Sequence, residues 1–212
     1  MLKLIRDFSI TEIKEAIRNA KKGVNQYKYI MSSFLETDVS KDITFQRKFK
    51  GFYRINKRND KFYKAYFSFL ETCKSSKPVF SDTLEHFYKI GKPGKNKKLV
   101  YSLEFSFVSK LLATLDDNLP VWDSNVFNCF GLRNPGHWLP KKERIKEAQK
   151  IYNDLKEWYE SFLKNEEGCK CEKYFDEIHP DSTITSTKKI TTIKKIDFIL
   201  WQLGARINRT DN

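Results

Sequence analysis

The sequence predicts a mainly α-helical protein, and three observations support that fold class. Glycine (8) and proline (6) are scarce among 212 residues, which argues against a loop-rich β-sandwich. Hydrophobic residues make up 40% and aromatic residues 15%, enough to build a real core. Apolar residues recur at helical spacing in several segments. We expect one helical domain over 1–212; an alternative is two helical lobes with a cleft, about 24–100 and about 101–166, on which the termini pack.

The N-terminal half contains four predicted helices. The first begins at a capping box, Ser9 to Glu12, and is predicted to end at Gly23. The other three are a helix over 24–36, a helix capped by Asn59 that runs to about residue 75, and a shorter helix over 83–90.

The segment 45–55 interleaves aromatic and basic residues, and Gly51 is predicted to interrupt any helix there. It is either a core segment whose cationic side chains reach solvent, or a surface that stacks on bases and contacts phosphates. The turn-rich loop 91–98 that follows is either solvated or in contact with phosphates. If the second interpretation holds, the candidate base-stacking residues of this half are Phe45 and Tyr53, and the candidate phosphate-backbone contacts are Arg47, Lys48, Arg54, Lys95 and Lys97.

The C-terminal half begins with a largely buried helix over about 102–116. A short helix opens at Asp123 and ends near Gly131, and a long amphipathic helix covers about 141–164. A break is predicted over 168–171, followed by a short helix over 172–178. The last predicted helix, about 187–203, ends in an apolar run that we expect to pack on the core.

The net charge of +13 suggests a polyanionic partner, with nucleic acid first and an anionic membrane second. A Lys-rich composition set by an AT-biased genome is the alternative explanation. The four cysteines and three histidines lack zinc-site spacing, so we expect reduced thiols, no metal and no cofactor. The sequence contains neither a signal peptide nor a membrane-length apolar run, so we expect a cytoplasmic monomer.

One lysine, Lys110, stands in the apolar helix that precedes Asp123. The helix continues for about seven residues beyond Lys110, or about 10 Å, and the connector of about five residues spans at most roughly 17 Å. The chain can therefore fold back and bring Asp123 near Lys110. A lysine amid apolar residues forms a salt bridge, extends to solvent, or has a lowered pKa suited to nucleophilic attack. An aspartate at this position is otherwise an ordinary helix N-cap.

The run from Pro120 to Val126 resembles the catalytic segment of helix–hairpin–helix DNA glycosylases. In that superfamily an apolar turn delivers an aspartate to the start of a helix, where Asp123 stands here. The adenine-specific branch continues with a small residue, then Asn and Val, as Ser124, Asn125 and Val126 do here. The lyase branches, which include 8-oxoguanine glycosylases, place a lysine in the preceding helix, where Lys110 follows Ser109.

The chain resembles a divergent member of that superfamily. The residues 103–107 stand where the family hairpin carries glycines, and the Lys–Asp spacing of 13 is shorter than usual. The resemblance implies excision of a damaged or modified base from DNA, in repair or in defence against phage with modified DNA. Asp123 would stabilise the charge at C1′, and Lys110 would add an abasic-site lyase step. The target base must leave the stack, so an aromatic-walled pocket is required. The candidate substrate-binding residues are Asn125, Trp122, Ser109, Tyr53, Phe45 and Trp138.

Two other functions remain open at this stage. The chain could be a nucleic-acid-binding protein that keeps the fold and the charge without catalysis. It could also be a helical protein–protein adaptor whose charge reflects only genome composition.

Overall fold

The computed structural model describes residues 2–56, 58–93 and 99–210, and most of these residues are helical. The mainly α fold class is therefore confirmed. The helices are α1 Ile10–Asn19, α2 Lys21–Glu36, α3 Ile43–Tyr53, α4 Asp60–Thr72, α5 Phe80–Ile90, α6 Phe105–Leu115, α7 Ser124–Phe130, α8 Lys141–Phe162, α9 Glu166–Ile178 and α10 Thr192–Thr210. Two-residue strands, β1 Lys92–Pro93 and β2 Leu99–Val100, form an antiparallel ladder between α5 and α6.

Several predicted helix starts are confirmed by their caps. The Ser9 hydroxyl accepts from the backbone N–H of Glu12, whose carboxylate accepts from the N–H of Ser9, so both halves of the capping box are formed. Asn59 caps α4 and Asp123 caps α7, each through its side-chain oxygen. Gly131 ends α7 with a φ of 64°, a left-handed conformation that glycine adopts without strain.

Two glycines that were predicted to end or interrupt helices lie inside them. The helix α1 ends at Asn19, α2 starts two residues later, and Gly23 sits in its first turn. A Cβ at Gly23 would lie 3.4 Å from the ring of Phe198, an ordinary contact distance, so this position packs against α10. Gly51 lies within α3, which continues to Tyr53. An exposed helical glycine costs only about 1 kcal/mol, and the burial of three α3 aromatics outweighs that cost.

The predicted break at 168–171 is also wrong, because α9 already begins at Glu166. Asn165 caps this helix by accepting from the N–H of Gly168 at 2.8 Å. A Cβ at Gly168 would lie 2.0 Å from the carbonyl oxygen of Phe162, so the end of α8 packs directly on this glycine. The last helix starts at Thr192 rather than near residue 187, since the Thr191 hydroxyl accepts from the N–H of Lys194.

The helices that position the candidate site are α3, α6, α7 and α10. Eight of the eleven residues of α6 are buried, including Lys110. The C-terminal helix packs on the core as predicted, and its main neighbour is α7. At their crossing, a Cβ on Gly204 would lie only 1.7 Å from the carbonyl oxygen of Asn125. This glycine therefore allows the backbones of α7 and α10 to touch, which fixes α7 and the residues at its start.

No helix in the described part of the chain is long and apolar enough to cross a membrane. The division into two lobes stays a prediction.

Candidate active site

Lys110 and Asp123 meet, as the chain-length argument predicted. Lys110 is 5% exposed, and its Nζ lies 3.1 Å from Oδ2 of Asp123. The same ammonium donates a hydrogen bond of 2.9 Å to the backbone carbonyl of Tyr53 at the end of α3. The lysine is thus held between α3 and the start of α7, and it is the only charged residue of α6.

Burial sets the proton affinity of this lysine. Loss of solvent lowers the pKa of Lys110, the Asp123 carboxylate opposes that effect, and the nearby Arg54 cation reinforces it. The net result is a pKa below the ordinary lysine value. The neutral, nucleophilic form of this amine is therefore more accessible than in an ordinary lysine.

Asp123 is fixed by the start of α7 and by the turn before it. Its Oδ1 accepts from the N–H of Asn125 at 3.0 Å, which leaves Oδ2 for Lys110. The preceding residue, Trp122, donates its backbone N–H to the Ser109 hydroxyl at 2.9 Å. Ser109 neighbours Lys110 on α6, so this bond ties the turn to the helix that carries the lysine.

The side chain of Trp122 anchors the same turn in the core. It is 3% exposed, and its Nε1 donates to the Asn134 side chain at 2.8 Å. Its ring stacks on Phe105 with centroids 5.1 Å apart. Trp122 and Ser109 were predicted to bind substrate, and the structure gives both of them contacts that position Asp123.

The lysine–aspartate pair lies in the wall between two cavities. We name them the α2–α10 cavity, of about 400 Å³, and the α6–α7 cavity, of about 590 Å³. Lys110, Asp123, Arg54 and Trp201 line both. The Arg54 guanidinium lies 5.0 Å from the centre of the Trp201 ring, which places a cation stacked on an aromatic at the shared edge. A group that enters either cavity reaches the pair.

The α2–α10 cavity has an aromatic wall and a charged floor. Phe52, Phe198 and Trp201 supply the wall. The floor, by which we mean its buried charged residues, holds Lys110 and a second pair, Lys194 and Asp197. Sequence reasoning missed that pair, although an aspartate inside the apolar run at 196–203 was a usable signal.

The α6–α7 cavity is more polar and more cationic. Three arginines, Arg54, Arg58 and Arg133, line it together with the first turn of α7. The Arg58 guanidinium pairs with Glu104 at 2.5 Å, so part of its charge is compensated. Asn125 and Trp122, two predicted substrate-binding residues, line this cavity.

The remaining predicted residues are spread over the molecule. Tyr53 is buried and lines the α2–α10 cavity. Arg47 and Lys48 are exposed on α3, and the Lys48 ammonium lies 4.1 Å from the ring centre of Tyr29. The predicted backbone contacts Lys95 and Lys97 lie outside the described residues.

Two predicted pocket residues lie away from both cavities. Phe45 is fully buried and packs on Phe49 and Phe67, so it belongs to the aromatic core. Trp138 is 77% exposed in the loop before α8 and packs on His137 and Gly136. The aromatic wall comes instead from α3 and α10, which the sequence pattern did not bring together.

Comparisons with protein-family models, with curated proteins and with solved structures find no match to this chain. Within the described residues there is no group of three or more His, Cys, Asp or Glu side chains that could hold a metal ion.

Proposed function

We propose that the chain is a DNA glycosylase that excises a damaged or modified base, with Lys110 and Asp123 at its active site. One observation supports this above all others. A buried lysine with a lowered pKa contacts a helix-capping aspartate in the wall that two cavities share. The functional assignment rests on the chemistry of that pair.

The pair fits the two steps of a glycosylase that also acts as an abasic-site lyase. Breaking the N-glycosidic bond builds positive charge at the sugar C1′, and the Asp123 carboxylate would stabilise it. The neutral amine of Lys110 would attack C1′ as the bond to the base breaks, and the base would leave with the bonding electrons and take up a proton. Opening of the sugar ring then gives a Schiff base between C1′ and Nζ, the intermediate of a lyase step.

The two cavities suit the two parts of an extruded nucleotide. The α2–α10 cavity, with its aromatic wall, would hold the base, and the α6–α7 cavity, with Arg54, Arg58 and Arg133, would hold the sugar and phosphates. The lining of the α6–α7 cavity contains those three arginines against two carboxylates, Glu104 and Asp123, which favours a phosphate there. The pair would then lie at the junction of base and sugar.

Borohydride trapping tests the lyase route. Labelled single- and double-stranded DNA carrying oxidised, alkylated, deaminated or glucosylated bases is incubated with protein and borohydride, which reduces a Schiff base to a stable adduct. We expect an adduct with the wild type and none with Lys110→Met. The control is Lys195→Met, which removes another buried lysine, paired with Glu172 and Asp176, that lines neither cavity.

The outcomes separate the proposed chemistry from its rivals. Base release without an adduct would assign the reaction to hydrolysis directed by Asp123. DNA binding without base release from any substrate would favour a non-catalytic nucleic-acid-binding protein. The observation that supports this second function is the net charge of +13. Absence of DNA binding at low salt would reject both.

A further inference from the structure

The floor of the α2–α10 cavity holds a second lysine–aspartate pair on α10. Lys194 Nζ donates to Oδ2 of Asp197 at 2.6 Å, and the two residues are 3% and 6% exposed. The other carboxylate oxygen of Asp197 accepts a hydrogen bond from the Tyr159 hydroxyl on α8. Each oxygen of Asp197 therefore accepts one hydrogen bond, and the ammonium of Lys194 has N–H donors beyond the one that it gives to Asp197.

The two lysines of the cavity differ in their electrostatic surroundings. Burial lowers the pKa of Lys194, but the carboxylates of Asp197 and Asp117 outweigh it, so its pKa lies above the ordinary value. At Lys110 burial prevails and the pKa is lowered. At functional sites, two titratable groups of the same kind commonly have different roles when their surroundings shift their pKa values in opposite directions. Lys194 thus keeps its proton more readily than an ordinary lysine, and Lys110 loses its proton more readily.

Tyr53 connects the two pairs. Its backbone carbonyl accepts from Lys110, while its buried ring carries a phenol whose electrostatic neighbours include Lys194. A flat ligand against Phe52, Phe198 and Trp201 would lie in the same cavity that Lys110, Asp123 and Lys194 line. The volume is sufficient, because about 400 Å³ equals roughly 13 water molecules of about 30 Å³ each, more than a purine displaces.

We propose that Lys194 reads the extruded base by donating a hydrogen bond to a carbonyl oxygen on its edge. The cavity would then select bases that carry a ring carbonyl over bases that carry an exocyclic amine at the same position. An amine is a donor, so at that position it would set N–H groups against the ammonium of Lys194, where the carbonyl would accept a hydrogen bond. This inference rests on the proposed function, because it assigns the base to the α2–α10 cavity.

Hypoxanthine and adenine provide the sharpest comparison, since they differ in a carbonyl against an amine at one ring position. Binding of each free base to the wild-type protein is measured by ligand-observed NMR. We expect hypoxanthine to bind at least about tenfold more tightly, because a site built on one hydrogen bond rejects the analogue that cannot make it. Equal affinities, or a preference for adenine, would overturn the proposal.

Variants assign the preference to Lys194. Lys194→Met should abolish the discrimination, and Lys194→Arg, which keeps a cationic donor, should retain part of it. Lys195→Met is the matched control, since it removes a neighbouring lysine of similar burial outside the cavity. Discrimination that survives in folded Lys194→Met would refute the assignment. If that variant does not fold, the wild-type comparison decides the preference and Lys194→Arg decides the residue.

The free-base assay requires no bond cleavage, so its result is independent of the proposed reaction. A Lys194-dependent preference without base release from any DNA would leave a base-binding pocket and reject the glycosylase. Base release from DNA with no preference for carbonyl-bearing bases would leave the glycosylase and reject the role of Lys194.

Discussion

Replacement of Lys110 by methionine should leave the stability of the protein nearly unchanged while abolishing adduct formation with DNA. Lys110 is a costly residue for the fold, because its ammonium is buried in an apolar helix and its pKa is lowered. Methionine has a similar length and no charge, so it fills the space without a large cavity. The change therefore removes the function and the burial cost together.

The free energies that Lys110→Met loses and gains are of similar size. The variant loses a charge-assisted hydrogen bond to the Tyr53 carbonyl, worth about 1.5–3 kcal/mol, and the contact with Asp123. It also removes the desolvation of an ammonium, which costs several kcal/mol. Asp123 keeps its hydrogen bond from the Asn125 N–H and is 17% exposed along its side chain, so it stays partly solvated. We expect a net change within about 1 kcal/mol of zero.

The contribution of Lys110 to the free energy of unfolding should depend on pH. Since the folded pKa of Lys110 is lowered, the unfolded chain binds more protons at this site just below the unfolded pKa of about 10.4. The contribution of Lys110 to stability therefore rises with pH in that range and is lost as pH falls through the folded pKa. The wild type minus Lys110→Met difference in unfolding free energy should become more favourable to the wild type as pH rises.

Urea denaturation of both proteins at several pH values measures this difference. Lys194→Met is the comparison, because it leaves Asp197 with a side chain 8% exposed and the Tyr159 hydroxyl as its remaining partner. We expect that variant to lose about 3–5 kcal/mol. A loss of more than about 3 kcal/mol in Lys110→Met, with no pH dependence in the difference, would refute the reasoning.

Two further substitutions test how the site is held. Gly204→Ala adds a Cβ 1.7 Å from the Asn125 carbonyl oxygen, so α7 must shift. We expect urea unfolding to show a destabilisation of about 1–3 kcal/mol, accompanied by a loss of base release. Unchanged stability and activity would contradict the packing of α7 on α10. Arg54 has a left-handed φ of 52°, so Arg54→Gly removes backbone strain and also removes the contact with Trp201. Because these two effects oppose each other, the free energy of unfolding should change by less than about 1 kcal/mol. The DNA affinity of this variant should fall and the slope of log K against log salt should drop by about one, whereas unchanged binding would place Arg54 outside the interface.

The sequence predicts those features of the site that depend on short stretches of chain. Lys110 and Asp123 are 13 residues apart, and the length of the helix and connector was enough to predict that they meet. The cap role of Asp123 follows from residue type and position in the same way. These are local constraints, and a single sequence contains them.

The features that were missed depend on contacts between distant segments. Lys194 and Asp197 share a face of α10 by their spacing, but their position at a cavity floor requires α10 to pack near α3 and α6. Gly23 and Gly51 were predicted to end or interrupt helices because glycine weakens an isolated helix. In the protein, aromatic packing from distant parts of the chain overrides that local preference.

Base release by wild type and by Asp123→Asn, on DNA carrying oxidised, alkylated, deaminated and glucosylated bases, tests the central claim most directly. Asparagine keeps the N-cap of α7 and the shape of the side chain, and it removes the charge beside Lys110. We predict that the wild type releases at least one of these bases and that Asp123→Asn does so at least about 100-fold more slowly, with unchanged DNA affinity. Base release at the wild-type rate by Asp123→Asn would contradict the account.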